Sequence, residues 1–305
     1  MPIRQCLLLS LIALLAGCAA PPAPEQQAAC PVEKRAELPL TVFRNFLLVP
    51  AALDGGKVLM VVDTGAEATT VTPETVLSLG LARMGATNQL LGVGGMTEGG
   101  GTVRLRRIEL GGMARGGLDL DVGTLPNFGA TDRPVAGLLG ADVLGGYDIE
   151  LDLPRQTMTL YAVPRCPDFV PPGFTARDGD GMQPDGGGLL FVAARVDGKP
   201  VRALIDTGAR STLVTSSAAA ALGVTDDALA RDPLVAGRGI GTTALAFRRH
   251  RFDEVRVGAV AVRDMTVNVA PLPIAGIDML LGADWLTGRR VWISRAAGRL
   301  YQQDE

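Results

Sequence analysis

The strongest constraint on this chain is that one unit is written in it twice. VVDTGAEATTV begins at Val61 and ALIDTGARSTLV at Ala203, and each Asp-Thr-Gly-Ala follows directly on an apolar run. A second pair, LLGADVL at Leu138 and LLGADWL at Leu280, recurs with the same offset to within one residue. Two unrelated motifs repeating at one spacing mark a duplicated structural unit. In each copy an Asp-Gly turn between apolar runs predicts a β-hairpin, which leads into the tetrapeptide at a strand end. Thr72-Pro73-Glu74 then sets a capping hydroxyl before a proline at the first helical position, and Gly80 stops the helix. The second copy uses Thr215-Ser216-Ser217, an alanine run and Gly223. Glycine-rich loops follow at Gly92, Val93, Gly94 and Gly95, and at Gly237, Gly239, Ile240 and Gly241, and after them come more strand-like runs. The expected fold class is all-β, mainly strands with short helices, in two lobes.

At 305 residues, 47% hydrophobic and 20% charged, the chain can bury a large core, and its length suits about two domains. A net charge of −3 with mixed signs gives no footprint for nucleic acid. Arg4 precedes an apolar run from Cys6 to Ala16 that is too short to span a bilayer and reads as a targeting segment. It ends in Leu15-Ala16-Gly17-Cys18, which resembles the bacterial lipobox; the other reading is an ordinary secretory peptide cut near Ala19-Ala20. The lipobox reading implies a lipid on Cys18 and a protein held at the bacterial cell envelope, facing the periplasm. Residues 1–17 are then the signal peptide and 18–37, rich in Pro, Ala and Gln, a flexible tether. Residues 38–165 form the first lobe, the Pro-, Gly- and Asp-dense 166–188 a linker, and 189–305 the second lobe. Cys30 and Cys166 flank the first lobe, and an oxidising compartment leaves both a disulfide and two free thiols open.

Elimination narrows the chemistry. The single histidine, His250, lies in Arg-Arg-His-Arg and reads as part of a solvated basic face. One histidine makes a His-ligated metal site improbable, no Gly-x-Ser-x-Gly elbow occurs, neither glycine-rich loop fits Gly-x-Gly-x-x-Gly, and Gly56-Lys57 and Gly198-Lys199 lack the following Ser or Thr of a phosphate loop. No cofactor and no metal is expected. Two carboxylates in equivalent places remain, Asp63 and Asp206. Like charges about 3 Å apart hold one proton between them and can serve as base and acid together.

The doubled Asp-Thr-Gly-Ala, each with its Leu-Leu-Gly element (Leu138-Leu139-Gly140 and Leu280-Leu281-Gly282), resembles the retropepsin-like aspartic proteases across about Leu38 to Tyr301. The resemblance implies two acid-protease-like barrel lobes related by a pseudo-twofold axis, acting as an endopeptidase on a peptide or protein substrate. It implies that Asp63 and Asp206 hold the attacking water, and that Thr64 and Thr207 lock the loops by crossed hydrogen bonds. Gly65, Ala66, Gly208 and Ala209 complete those loops, with the Leu-Leu-Gly elements packed behind them. The glycine-rich loops correspond to flaps. Viral members carry a basic residue after the Leu-Leu-Gly-type glycine and an acid after Asp-Thr-Gly-Ala; here Ala141 and Ala283, and Glu67 and Arg210, stand there. Without those ion pairs the simpler reading is a monomer whose lobes pair as an intramolecular pseudo-dimer; pairing between chains is the other. Asp142 and Asp284 are expected as helix caps. A non-catalytic peptide-binding lipoprotein of the same fold is the alternative function.

Overall fold

The computed structural model describes residues 30–304 apart from 86, 93–94, 127, 129–130, 240–243 and 273–274. The signal segment, Cys18, most of the tether, and Val93, Gly94, Ile240 and Gly241 of the glycine-rich loops lie outside the described residues.

Each repeat closes into a six-stranded barrel. In the first, Phe46–Leu53 pairs antiparallel with Gly56–Val62. Val135–Leu139 joins Gly56–Val62 in parallel and Thr70–Val71 antiparallel. Met113–Val122 and Thr102–Leu110 continue the ring, which closes where Leu53 meets Ile108. The second barrel repeats this order with Leu190–Val196, Lys199–Ile205, Met279–Leu281, Leu213–Thr215, Val260–Ala270 and Ala244–Val257, closing at Val196 and Val255.

Strand alternation decides where the repeated motifs point. In Leu-Leu-Gly the second leucines, Leu139 and Leu281, join Val62 and Ile205 in the main core. The first leucines face the opposite way: Leu138 packs with Phe46, Val61 and Phe128, and Leu280 with Phe191, Leu204 and Phe247. The Leu-Leu-Gly elements lie against the Asp-Thr-Gly-Ala loops, and the first leucine of each turns toward the space between the lobes. The hydroxyl caps form as the sequence indicates. Thr72 accepts from the Thr75 amide with Gly80 left-handed at the far end, and Thr215 accepts from Ala218.

A third layer joins the lobes. Glu33–Pro39, Thr157–Ala162 and Asp148–Asp152 from the first half meet Arg289–Ser294, Arg299–Asp304 and Gly179–Pro184 in one antiparallel run, with Ile149 opposite Ile293 at the seam. The tether therefore gives way to strand at Glu33 rather than beyond residue 37, because Ala36 and Leu38 alternate inward on an otherwise charged segment. The expected linker 166–188 likewise holds a strand, Gly179–Pro184, with Met182 buried. Aromatic rings cover this sheet, with Tyr161 stacked on Trp292 at 4.3 Å, and beside them Cys30 is disulfide-bonded to Cys166 across a Cα separation of 6.4 Å.

Candidate active site

The two Asp-Thr-Gly-Ala loops leave the ends of Gly56–Val62 and Lys199–Ile205 and meet back to back. The Thr64 amide donates to Thr207 Oγ1 at 3.1 Å, and the Thr207 amide to Thr64 Oγ1 at 3.2 Å. Each hydroxyl then donates onward to the opposite strand, Thr64 to the Ile205 carbonyl at 2.6 Å and Thr207 to the Val62 carbonyl at 2.7 Å. Both threonines are buried, so every polar atom of this four-bond knot is satisfied away from water.

The knot fixes the carboxylates beside each other. A Cβ on Gly65 would lie 2.5 Å from Asp206 Oδ1, and one on Gly208 2.3 Å from Asp63 Oδ2, so each glycine gives the opposite carboxylate its room. The Gly65 amide donates to Asp63 Oδ1 at 3.0 Å and the Ala209 amide to Asp206 Oδ1 at 2.9 Å. Burial, followed by the facing Asp206 charge, holds the Asp63 carboxyl well above the usual range. Burial raises Asp206 too, against backbone amides of Ala209 and Gly208 and a hydrogen bond from Asp63 that pull it down. Burial thus pushes both groups toward the neutral form, which is the condition for one proton shared by the pair.

Both carboxylates open into a cleft of about 1080 Å³ between the lobes, floored by the outward leucines and by Phe46, Phe128, Phe191 and Phe247. A β-hairpin from each lobe borders it. Gln89–Gly92 pairs with Gly95–Glu98, placing Gly92 opposite Gly95, and Leu234–Arg238 pairs with the start of Ala244–Val257, with Gly237 opposite Leu245 and Gly239 beyond. Gly92, Gly237 and Gly239 line the cleft.

Three residues that the sequence suggested differently take other roles. Asp142 and Asp284 do not cap their helices, whose N-caps are Gly140 and Gly282. Asp142 Oδ1 instead accepts from Thr69 N at 2.9 Å and Thr69 Oγ1 at 2.6 Å, while Thr69 Oγ1 accepts from Gly140 N. Asp284, Thr212 and Gly282 repeat the arrangement. These aspartates tie each catalytic-type loop to the Leu-Leu-Gly turn behind it, a role legible only once the two segments are known to adjoin. His250 is not simply solvated: its Nδ1 lies 2.6 Å from Asp232 Oδ2, and its ring meets Phe252 edge-on. In place of viral-type ion pairs, Arg210 Nε donates to the Arg44 carbonyl at 2.7 Å across the lobes, and Glu67 abuts Gly187 of the other half.

Two closed barrels around paired Asp-Thr-Gly loops define the bilobal aspartic protease architecture. A family model described as aspartyl protease matches the chain twice, over residues 49–143 and 192–285, and the chain belongs to that family. A comparison with curated proteins returns no match.

Proposed function

We propose that Asp63 and Asp206 act as one acid–base dyad that hydrolyses internal peptide bonds of envelope proteins. One carboxylate of the pair takes a proton from the attacking water, and the other, protonated, donates to the developing oxyanion of the scissile carbonyl. The observation that carries this reading is the crossed threonine knot, which holds buried Asp206 and half-buried Asp63 side by side in one cleft. A module that only bound peptides would gain nothing from a pair whose burial disfavours its charge.

The test is hydrolysis of an internally quenched peptide library by the mature chain and by Asp63→Asn and Asp206→Asn. Each single variant is expected to lose about 10²-fold or more in rate while staying folded, because the dyad works as a unit. Near wild-type turnover in either variant excludes a shared site, and a wild-type chain that binds peptides without cleaving them returns the function to the non-catalytic alternative.

We propose further that the protein is lipid-anchored through Cys18 and faces the periplasm, on the strength of Leu15-Ala16-Gly17-Cys18. Several acyl chains together hold a membrane firmly where one does not. Cys18→Ser should move the protein from the membrane to the soluble fraction. Wild-type protein found soluble and unacylated rejects the anchor.

A further inference from the structure

The two halves of the cleft are not equivalent in charge. Six carboxylates and three guanidiniums line it, and nearly all are engaged. Asp121 accepts from Asn88 Nδ2 at 2.7 Å, Asp185 from the Gly187 and Leu189 amides, and Asp284 from Thr212. Arg202 donates to the Gly276 carbonyl and lies over the Phe191 ring, and Arg210 is held by the Arg44 carbonyl. Two groups stand apart, the Glu67 carboxylate, which abuts Gly187, and the guanidinium of Arg249, the one cation of the cleft that makes no hydrogen bond or ion pair with any described residue, although its backbone amide is fixed on the Pro233 carbonyl. Arg249 is exposed and lines the cleft, two residues after Phe247 and so on the same strand face.

Its surroundings are polar donors. Arg249 stands directly opposite Asn268 in the antiparallel pair, and Thr266 is the next residue on that face. Both line the cleft, and neither side chain has a hydrogen-bond partner among the described residues. A guanidinium, a carboxamide and a hydroxyl thus converge on the space where substrate lies.

The duplication supplies an internal control. Asn268 pairs in parallel with Leu213, and Asp121 with Thr70; Leu213 and Thr70 stand at the same distance in sequence from Asp206 and Asp63. Asn268 and Asp121 are therefore counterparts. Where the first lobe sets a carboxylate opposite Thr102, the second sets a carboxamide opposite a free arginine. We propose that Arg249, with Asn268 and Thr266, forms a subsite for a substrate carboxylate on the second-lobe side of the cleft, and that this asymmetry sets which way a peptide lies across a pseudo-symmetric site. Arginine suits the task because its planar fork matches a carboxylate in two parallel hydrogen bonds. The assignment rests on the cleft being a peptide site, as proposed above.

Amidated, internally quenched peptides carrying Glu, Gln or Lys at each position around the scissile bond test it, with a free-acid version of the neutral peptide to separate a terminal carboxylate from a side chain. Wild type should favour one carboxylate-bearing placement over its Gln isostere by about tenfold or more in kcat/KM, the scale of a charge-assisted hydrogen bond. Arg249→Gln should bring that ratio close to one, and Arg249→Glu should turn it in favour of Lys. Binding of the same peptides to the Asp63→Asn chain, read by fluorescence anisotropy, gives the preference without hydrolysis. Selective binding that follows Arg249, together with a wild-type chain that cleaves none of the peptides, supports the subsite and rejects the protease reading. Cleavage with equal Glu and Gln rates, unmoved by Arg249→Glu, overturns the subsite and leaves the protease reading in place.

Discussion

Asp63 is costly to the fold in its charged form, and that cost is measurable. An aspartate whose folded pKa lies above its unfolded value binds its proton more tightly in the native state, so stability falls as pH rises from the unfolded value toward the folded one. Asp63→Asn removes the ionisation. The variant should therefore melt higher than wild type at about pH 7, by roughly 2–4 °C for each kcal/mol relieved, with the gain shrinking toward about pH 4 as the wild-type carboxyl is protonated in both states. A thermal melt series against pH checks it, and a variant less stable than wild type at neutral pH contradicts the assigned direction. The same reasoning sets the activity profile. Ala66 and Ala209 supply no side-chain hydroxyl to favour the ionised dyad, so the rate should peak from mildly acidic to near-neutral pH, and Ala66→Ser with Ala209→Ser should move the peak toward acid. At this scale the repeated Asp, Thr and Gly were legible in the sequence because the tetrapeptide is local. Asp142 and Asp284 were not, since their partners Thr69 and Thr212 lie some seventy residues away in the chain and short helices following them suggested capping instead.

Among elements, the Leu-Leu-Gly turns do the positioning, and their glycines are required by contact. A Cβ on Gly140 would sit 2.5 Å from the Ala68 carbonyl carbon, and one on Gly282 2.5 Å from that of Ser211. Backbone cannot yield as a flexible side chain can, so Gly140→Ala should cost about 1–3 kcal/mol in chemical denaturation and displace the Asp63 loop, lowering activity. Gly146→Ala, where nothing lies within 4 Å, is the matched control and should be close to neutral. Equal effects would show that the turn tolerates separation from the loop. Removing the clamp itself, by Asp142→Ala, should cost about 1–3 kcal/mol by leaving the Thr69 amide and hydroxyl without their acceptor. The hairpins, the Thr72 and Thr215 caps and the helix-ending glycines could be read from sequence because each is settled within a few residues. Glu33–Pro39 could not, since its partner Thr157–Ala162 is remote and only Ala36 and Leu38 mark its inner face.

For the whole molecule, the duplicated sequence announces two lobes but does not say whether they belong to one site or to two copies of the chain. In the structure a third layer pairs the two lobes of one chain, and we propose that the site forms within a single molecule. Asp148–Asp152 and Arg289–Ser294 pair along their length, Arg290 bonds Glu150 across the seam, and Asp148 accepts from Trp292, Ser294 and the Ala296 amide. A between-chain dimer would have to re-form this sheet and the threonine knot between two molecules to keep Trp292 and Asp148 buried. The consequence can be tested by complementation. Asp63→Asn and Asp206→Asn chains, each lacking one half of the dyad, should stay inactive when mixed in equal amounts, and wild-type specific activity should stay flat on dilution. If the lobes instead exchanged between chains, mixed dimers would unite an intact Asp63 from one variant with an intact Asp206 from the other, and activity would return in the mixture. Recovery of a sizeable fraction of wild-type rate after co-refolding the two variants would sink the single-chain site, because the sheet and the knot would then have re-formed between molecules rather than within them.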